Sequence, residues 1–229
     1  MNAASSASLN ATAASGWLRP HAAELPREPD PPAAGCLIGV LALQGAFAEH
    51  VLAVQRLGGK SREVRRPDQL EGLDALLMPG GESTTMSKLL ESSGLWAPLG
   101  DRLRDGLPVF GTCAGMILLA RDVLDRRPDQ RSFGVLDVAV RRNAYGRQID
   151  SFETDLSVAG LDAPFHAVFI RAPQIESLGP GVEPLATHDG HAVLVRSGTT
   201  WAAAFHPELT DDLRIHRLFL TDVLSRAVP

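Results

Sequence analysis

Sulfur and aromatic rings are scarce in this chain. Its 229 residues include two cysteines, Cys36 and Cys113, and one tyrosine, and Phe, Trp and Tyr together make up 5%. Two cysteines build no disulfide framework, so an apolar core must hold the fold, and a reduced, cytoplasmic setting is expected in which a thiol stays free to react. No apolar run approaches the roughly 20 residues that a membrane span needs. Nor is there a block of basic residues: 22 Lys and Arg against 27 Asp and Glu leave a net charge of −5, which argues against a nucleic-acid partner. The seven histidines and Cys36 are scattered without ligand spacing, so no metal is expected.

Residues 1–34 are rich in Ala, Ser and Pro and close on Pro26-Arg27-Glu28-Pro29-Asp30-Pro31-Pro32. They lack the positive start and sustained apolar core of a secretory signal. They are expected to form a flexible tail, with residues 35–229 as a single domain. From Leu37 strands and helices alternate. Leu37–Leu43 reads as a strand buried on both faces, Phe47, Val51, Val54 and Leu57 recur at helical spacing, and short strands are predicted at Ser61–Arg65 and Asp74–Met78. Ser83 is placed to cap a helix running to about Glu91, and another helix covers Trp96–Asp105. This series implies an α/β, doubly wound, mainly parallel sheet with helices on both faces. Later segments add an antiparallel β extension: strands at Gly134–Asn143, Gln148–Leu156 and Ala167–Arg171, and a hairpin of Glu183–His188 and His191–Arg196 around Asp189-Gly190. A last strand, Trp201–Phe205, precedes an amphipathic helix from Asp211 to about Arg226.

What chemistry there is concentrates at strand ends. Cys113 lies in Gly111-Thr112-Cys113-Ala114-Gly115, between an apolar strand and a helix. This is the pattern of a nucleophile elbow with cysteine at its apex. The turn calls for small, permissive neighbours, and the N–H groups opening the helix favour a thiolate and offer an oxyanion donor at Ala114. A nucleophilic thiol needs a base, and the base an orienting partner. His206-Pro207-Glu208 follows a core strand, and in an extended segment Glu208 would share the side of His206. Alone, either motif is more often structural than catalytic, a buried cysteine serving as a small hydrophobe. Both at strand ends make a Cys113–His206–Glu208 triad. Pro79-Gly80-Gly81-Glu82-Ser83-Thr84-Thr85 also follows a core strand. It lacks the ending of a phosphate-binding loop, and reads either as a plain strand-to-helix turn or as backbone approaching a ligand with an N–H of Gly80 or Gly81 for an oxyanion.

Together with Leu41-Ala42-Leu43-Gln44-Gly45 and Phe205-His206-Pro207-Glu208-Leu209-Thr210, these motifs resemble the class I glutamine amidotransferases. Arg141–Gln148, Ser151-Phe152-Glu153 and Phe169-Ile170-Arg171-Ala172-Pro173 narrow the resemblance to the glutaminase subunits of pyridoxal 5'-phosphate synthase. The resemblance implies a class I glutaminase-like, flavodoxin-like fold. It implies Cys113 as nucleophile, His206 as general acid/base and Glu208 as its orienter, with Gly81, Glu82, Ser83, Arg142, Ile170 and Arg171 lining an L-glutamine site. It further implies no cofactor of the chain's own, pyridoxal phosphate being the product of a larger complex. The partner would be a (β/α)-barrel synthase subunit in a large hetero-oligomer, sensed through Gln44 and Gly45. Two alternatives stay open: a glutaminase serving another pathway, and a non-catalytic regulatory subunit.

Overall fold

The computed structural model describes residues 31–142 and 151–226. Its first half is β1 (Leu37–Leu41), α1 (Phe47–Arg56), β2 (Lys60–Val64), β3 (Ala75–Met78), α2 (Ser83–Ser92), α3 (Trp96–Arg104), β4 (Val109–Thr112) and α4 (Ala114–Leu119). The second half is strand-rich: β5 (Ala120–Val123), β6 (Leu136–Arg141), β7 (Ser151–Leu156), β8 (Phe165–Ile170), β9 (Gln174–Leu178), β10 (Glu183–His188), β11 (His191–Ser197) and β12 (Thr200–Ala203), closed by α5 (Arg214–Ser225).

Seven strands form the main sheet in the order β10-β11-β12-β4-β3-β1-β2. The five from β12 to β2 are parallel, and β11 and β10 extend the sheet antiparallel at one edge. The apolar runs explain the placement. All four residues of β3 and all four of β4 are buried, as strands covered on both faces must be, whereas β2 (Lys-Ser-Arg-Glu-Val) is polar and takes the outer edge. α1 and α5 meet on one face through His50 and His216, where Phe219 of α5 lies 5.5 Å from the Phe110 ring. α4 covers the other face, its backbone close against Gly111 of β4, and α2 packs on α4. The sheet is thus the doubly wound, mainly parallel one that alternation implied. Two smaller sheets, β5-β6-β9 and β7-β8, supply the β extension; β6-β9 and β7-β8 pair antiparallel as expected, while β5 joins β6 in parallel.

Several expectations change. Residues 31–34, assigned to the tail, belong to the domain: Ala33 is fully buried in the core, and its N–H donates to the Leu57 carbonyl at the end of α1. Pro31 lies over Gly58. Ser83 does not cap α2. The cap is Glu82, whose carboxylate accepts from the N–H groups of Thr84 and Thr85. β5 and β9 carry no periodic signal: β5 has two charged residues in four, and β9 is five residues after a proline. The predicted Gly134–Asn143 and Gln148–Leu156 strands appear as β6 and β7, with 143–150, most of the Arg141–Gln148 motif, outside the described residues.

Candidate active site

Cys113 joins β4 to α4 with φ 50 and ψ −103, a region that side chains other than glycine rarely enter. Two bonds hold the turn: its N–H donates to the Ala203 carbonyl of β12 at 2.8 Å, and its own carbonyl accepts from Ile117 N–H. The flanking glycines were expected to bend the backbone, yet neither has a positive φ. They are required by proximity instead. A Cβ on Gly115 would stand 2.1 Å from the Met78 carbonyl oxygen, and one on Gly111 2.6 Å from the Gly115 carbonyl carbon. α4 therefore sits so close to β3 and β4 that only glycines fit between, and Cys113 itself bears the strain.

β12 runs parallel beside β4, pairing Ala203 with Thr112. His206, three residues beyond that pair, consequently arrives next to Cys113. Its N–H donates to the Val168 carbonyl of β8 at 2.9 Å, and the chain then enters a short 3-10 turn, Pro207–Leu209, instead of the extended path expected. The turn still brings Glu208 round to His206, with Oε1 2.8 Å from Nδ1. Both side chains are buried. Burial opposes the imidazolium, but the interaction with Cys113, the hydrogen bond to Glu208 and the attraction of both raise the His206 pKa to about 10. Burial also opposes the Glu208 carboxylate, and the neighbouring His50 and His206 outweigh it, lowering the Glu208 pKa. The Cys113 Sγ lies 4.0 Å from the Ile170 carbonyl oxygen.

Behind Glu208 lies a polar group with no sequence signal. His50 of α1 is fully buried, its Nδ1 2.9 Å from Nε2 of His216 and its Nε2 3.3 Å from Thr112 Oγ1 and 3.5 Å from Glu208 Oε2. Helical periodicity marked neither histidine, because both occupy core-facing helix positions that usually hold apolar residues.

In front of Cys113 is a pocket of about 310 Å³, lined by Gln44, Gly45, Gly80, Gly81, Glu82, Ile170, Arg171 and His206 among others. Gln44 Oε1 accepts from the Glu82 N–H at 3.3 Å, tying the segment after β1 to the glycine loop. At Gly45 (φ +86) the backbone passes so near the Gly80 carbonyl that a Cβ would stand 1.6 Å from its oxygen. The Glu82 carboxylate loses some hydration by burial, yet bonds from the hydroxyl and N–H of Thr85 and from Thr84 lower its pKa to about 2, so it is ionised. Arg142 Nη2 donates to Glu82 Oε1 at 3.4 Å. Its Nη1 donates to Gln130 Oε1, and Gln130 Nε2 in turn donates to Ser83 Oγ at 3.1 Å. Gln130 is nearly fully buried. It was invisible in the sequence, sitting in a polar loop with no motif. Ser83 and Arg142 thus reach the pocket rim through Glu82 and Gln130, while Gly81, Glu82, Ile170 and Arg171 line it directly. Among the described residues no group of three or more His, Cys, Asp or Glu side chains could hold a metal ion, and no helix is long and apolar enough to cross a membrane.

Comparison with known proteins converges. The model of the SNO glutamine amidotransferase family matches residues 40–225. The chain is 57% identical over 193 residues to the pyridoxal 5'-phosphate synthase subunit PdxT of Corynebacterium jeikeium, covering 84% of this chain and 99% of that protein. The same subunit from Mycobacteroides abscessus is 57% identical over 184 residues, 80% of this chain and 95% of the relative. A solved glutamine amidotransferase superposes with a TM-score of 0.77 at 52% identity, over 81% of this chain and 98% of its own. PurLQS from Thermotoga maritima shares the fold at 15% identity, with a TM-score of 0.59 over 84% of this chain and 99% of its own.

Proposed function

Because this chain belongs to the SNO glutamine amidotransferase family, we propose that it is the glutaminase subunit of a pyridoxal 5'-phosphate synthase. It hydrolyses L-glutamine to L-glutamate and ammonia and hands the ammonia to a partner synthase subunit. The observation that carries the chemistry is the His206 imidazole, hydrogen-bonded on one side to Glu208 and in contact with Cys113 on the other. The identity over nearly the whole length of the PdxT relatives supports the pathway.

The mechanism uses these groups in turn. Glutamine enters the pocket with its two charged α-substituents near Glu82 and Arg142, which offer one charge of each sign. The Cys113 sulfur bonds to the side-chain amide carbon, and the carbonyl π electrons move onto oxygen. The N–H groups of Ala114 and of Gly80 or Gly81 receive this oxyanion. As the carbonyl re-forms, the C–N bond breaks and the nitrogen takes a proton from His206, leaving as ammonia and a glutamyl thioester. Water then adds to the thioester while His206 accepts its proton. The C–S bond breaks, releasing glutamate and restoring Cys113. Glu208 holds the imidazole in the tautomer that points Nε2 at the sulfur.

Ammonia set free in water is protonated and lost as a nucleophile, so a partner must cover the site. That partner is a (β/α)-barrel synthase. Gln44 and Gly45 sense its docking, a role supported by their contacts with Glu82 and Gly80. Glutamate release from glutamine, measured with and without the synthase subunit, tests the whole reading. Wild type should turn over only with the partner, and Cys113→Ala should lose about a thousandfold or more. Equal turnover without the partner would remove the pathway assignment, and an active alanine variant would remove the triad.

A further inference from the structure

We propose that His50 is a positioning residue of the reaction: its Nε2–H supports the second carboxylate oxygen of Glu208, and His216 fixes the tautomer that makes this possible. The proposal rests on the triad reading above. Glu208 uses Oε1 on His206, and its Oε2 is buried without a hydrogen-bond partner, with His50 Nε2 standing 3.5 Å away. His216 Nδ1 is also buried without a partner. Two imidazoles in an apolar layer beside Phe110 are costly unless their nitrogens are used.

Burial lowers the pKa of both rings, that of His216 to about 3, so both are neutral and each carries one N–H and one lone pair. The 2.9 Å contact between His50 Nδ1 and His216 Nε2 then allows two arrangements. In one, His50 Nδ1–H donates to His216. That leaves the buried His216 Nδ1–H with no acceptor and turns the His50 Nε2 lone pair toward the Glu208 carboxylate. In the other, His216 Nε2–H donates to His50 Nδ1. The single orphan is then a lone pair on His216 Nδ1, and His50 Nε2–H faces both Glu208 Oε2 and Thr112 Oγ1. An orphaned buried N–H is rarer in proteins than an under-used acceptor, and a lone pair facing an anion is repelled. The second arrangement wins on both counts.

It forms one directional chain: His216 donates to His50, His50 to Glu208, and His206 to Glu208 from the opposite side. A carboxylate held at both oxygens cannot rotate away from His206. Thr112, the residue before the nucleophile, shares the His50 proton and keys α1 to the elbow.

Nitrogen-15 NMR of the full chain at about pH 7 reads the tautomers directly. Protonated Nε2 on both His50 and His216 is the expected result, and protonated Nδ1 on both overturns the proposal. Kinetics in the complex with the synthase subunit give a second readout. His50→Gln keeps a donor at the height of Nε2, whereas His50→Asn ends at the height of Nδ1. The asparagine variant should lose about ten- to a hundredfold in kcat, the weight of a bond to a charged group, with KM for glutamine within about twofold, and glutamine should restore most of the loss. Equal losses in the two variants would overturn the proposal. If His50→Asn does not fold, as its melting shows, the wild-type tautomers decide. Wild type that releases no glutamate with its partner would instead mark failure of the glutaminase reading, leaving the tautomer result standing.

Discussion

Gly80→Ala is a one-methyl test of how tightly the site is drawn. Gly80 lacks a positive φ, so its backbone accepts alanine and the cost is steric. The added carbon would stand 2.3 Å from His206 Cε1, 2.9 Å from Nδ1 and 3.3 Å from Cys113 Cβ. Ordinary carbon contacts begin near 3.5 Å, so ring or loop must give by about 1 Å. The ring is poorly placed to yield. Its backbone N–H is bonded to Val168 and its Nδ1 to Glu208, inside a buried pocket. Movement of the loop would instead shift Gly81 and Glu82 in the glutamine pocket. A displacement of about 1 Å between reacting groups costs on the order of a hundredfold. We therefore expect Gly80→Ala to fold and to bind the synthase, while its partner-stimulated kcat/KM for glutamine falls about a hundredfold or more. Activity within about threefold of wild type, with binding intact, would refute the contact geometry from which this loss is worked.

Two further outcomes follow from the same network. Gln130→Ala removes the carboxamide that joins Arg142 to Ser83 and should raise KM for glutamine about five- to tenfold while sparing kcat, since it loosens a binding group and leaves the sulfur and imidazole in place; an unchanged KM in steady-state assays would detach Gln130 from the site. An NMR titration of His206 should show the imidazolium kept well above neutral pH and lost only as the pH passes about 10, with a lower midpoint in Glu208→Gln; a wild-type midpoint near 6.5, that of a free imidazole, would contradict the Cys113–His206–Glu208 geometry.

Much of this site was legible because its parts stand where strands end. Apolar runs located β1, β3 and β4, and the residues just after such runs, Cys113, the Gly80–Gly81 loop and His206, are the ones the parallel sheet gathers at the C-terminal ends of its central strands. The glycines around Cys113 were recognisable as necessary, although the reason lay in long-range contact with Met78 and not in their own torsions. What escaped notice depends on contacts between residues far apart in the chain. His50 and His216 are 166 positions apart, Gln130 and Ser83 47. No local pattern distinguishes a buried histidine bonded to another helix from one at a solvated face. Ala33 belongs to the same class. Its low-complexity surroundings suggested a tail, and only the groove at the end of α1 makes it part of the core.

The placement of nucleophile and base just beyond adjacent parallel strands has a consequence for control. The distance between Cys113 and His206 is governed by the hydrogen-bond ladder of β4 and β12, among the stiffest dimensions in a protein, and cross-ties to Ala203 and Val168 stiffen it further. A docking protein has little leverage there. The glycine loop is different, since its conformation is held from outside the sheet by Gln44 and by the close passage of Gly45, side by side on the pocket rim. The enzyme is built like a vice with one fixed jaw. Whatever turns it on must move the other.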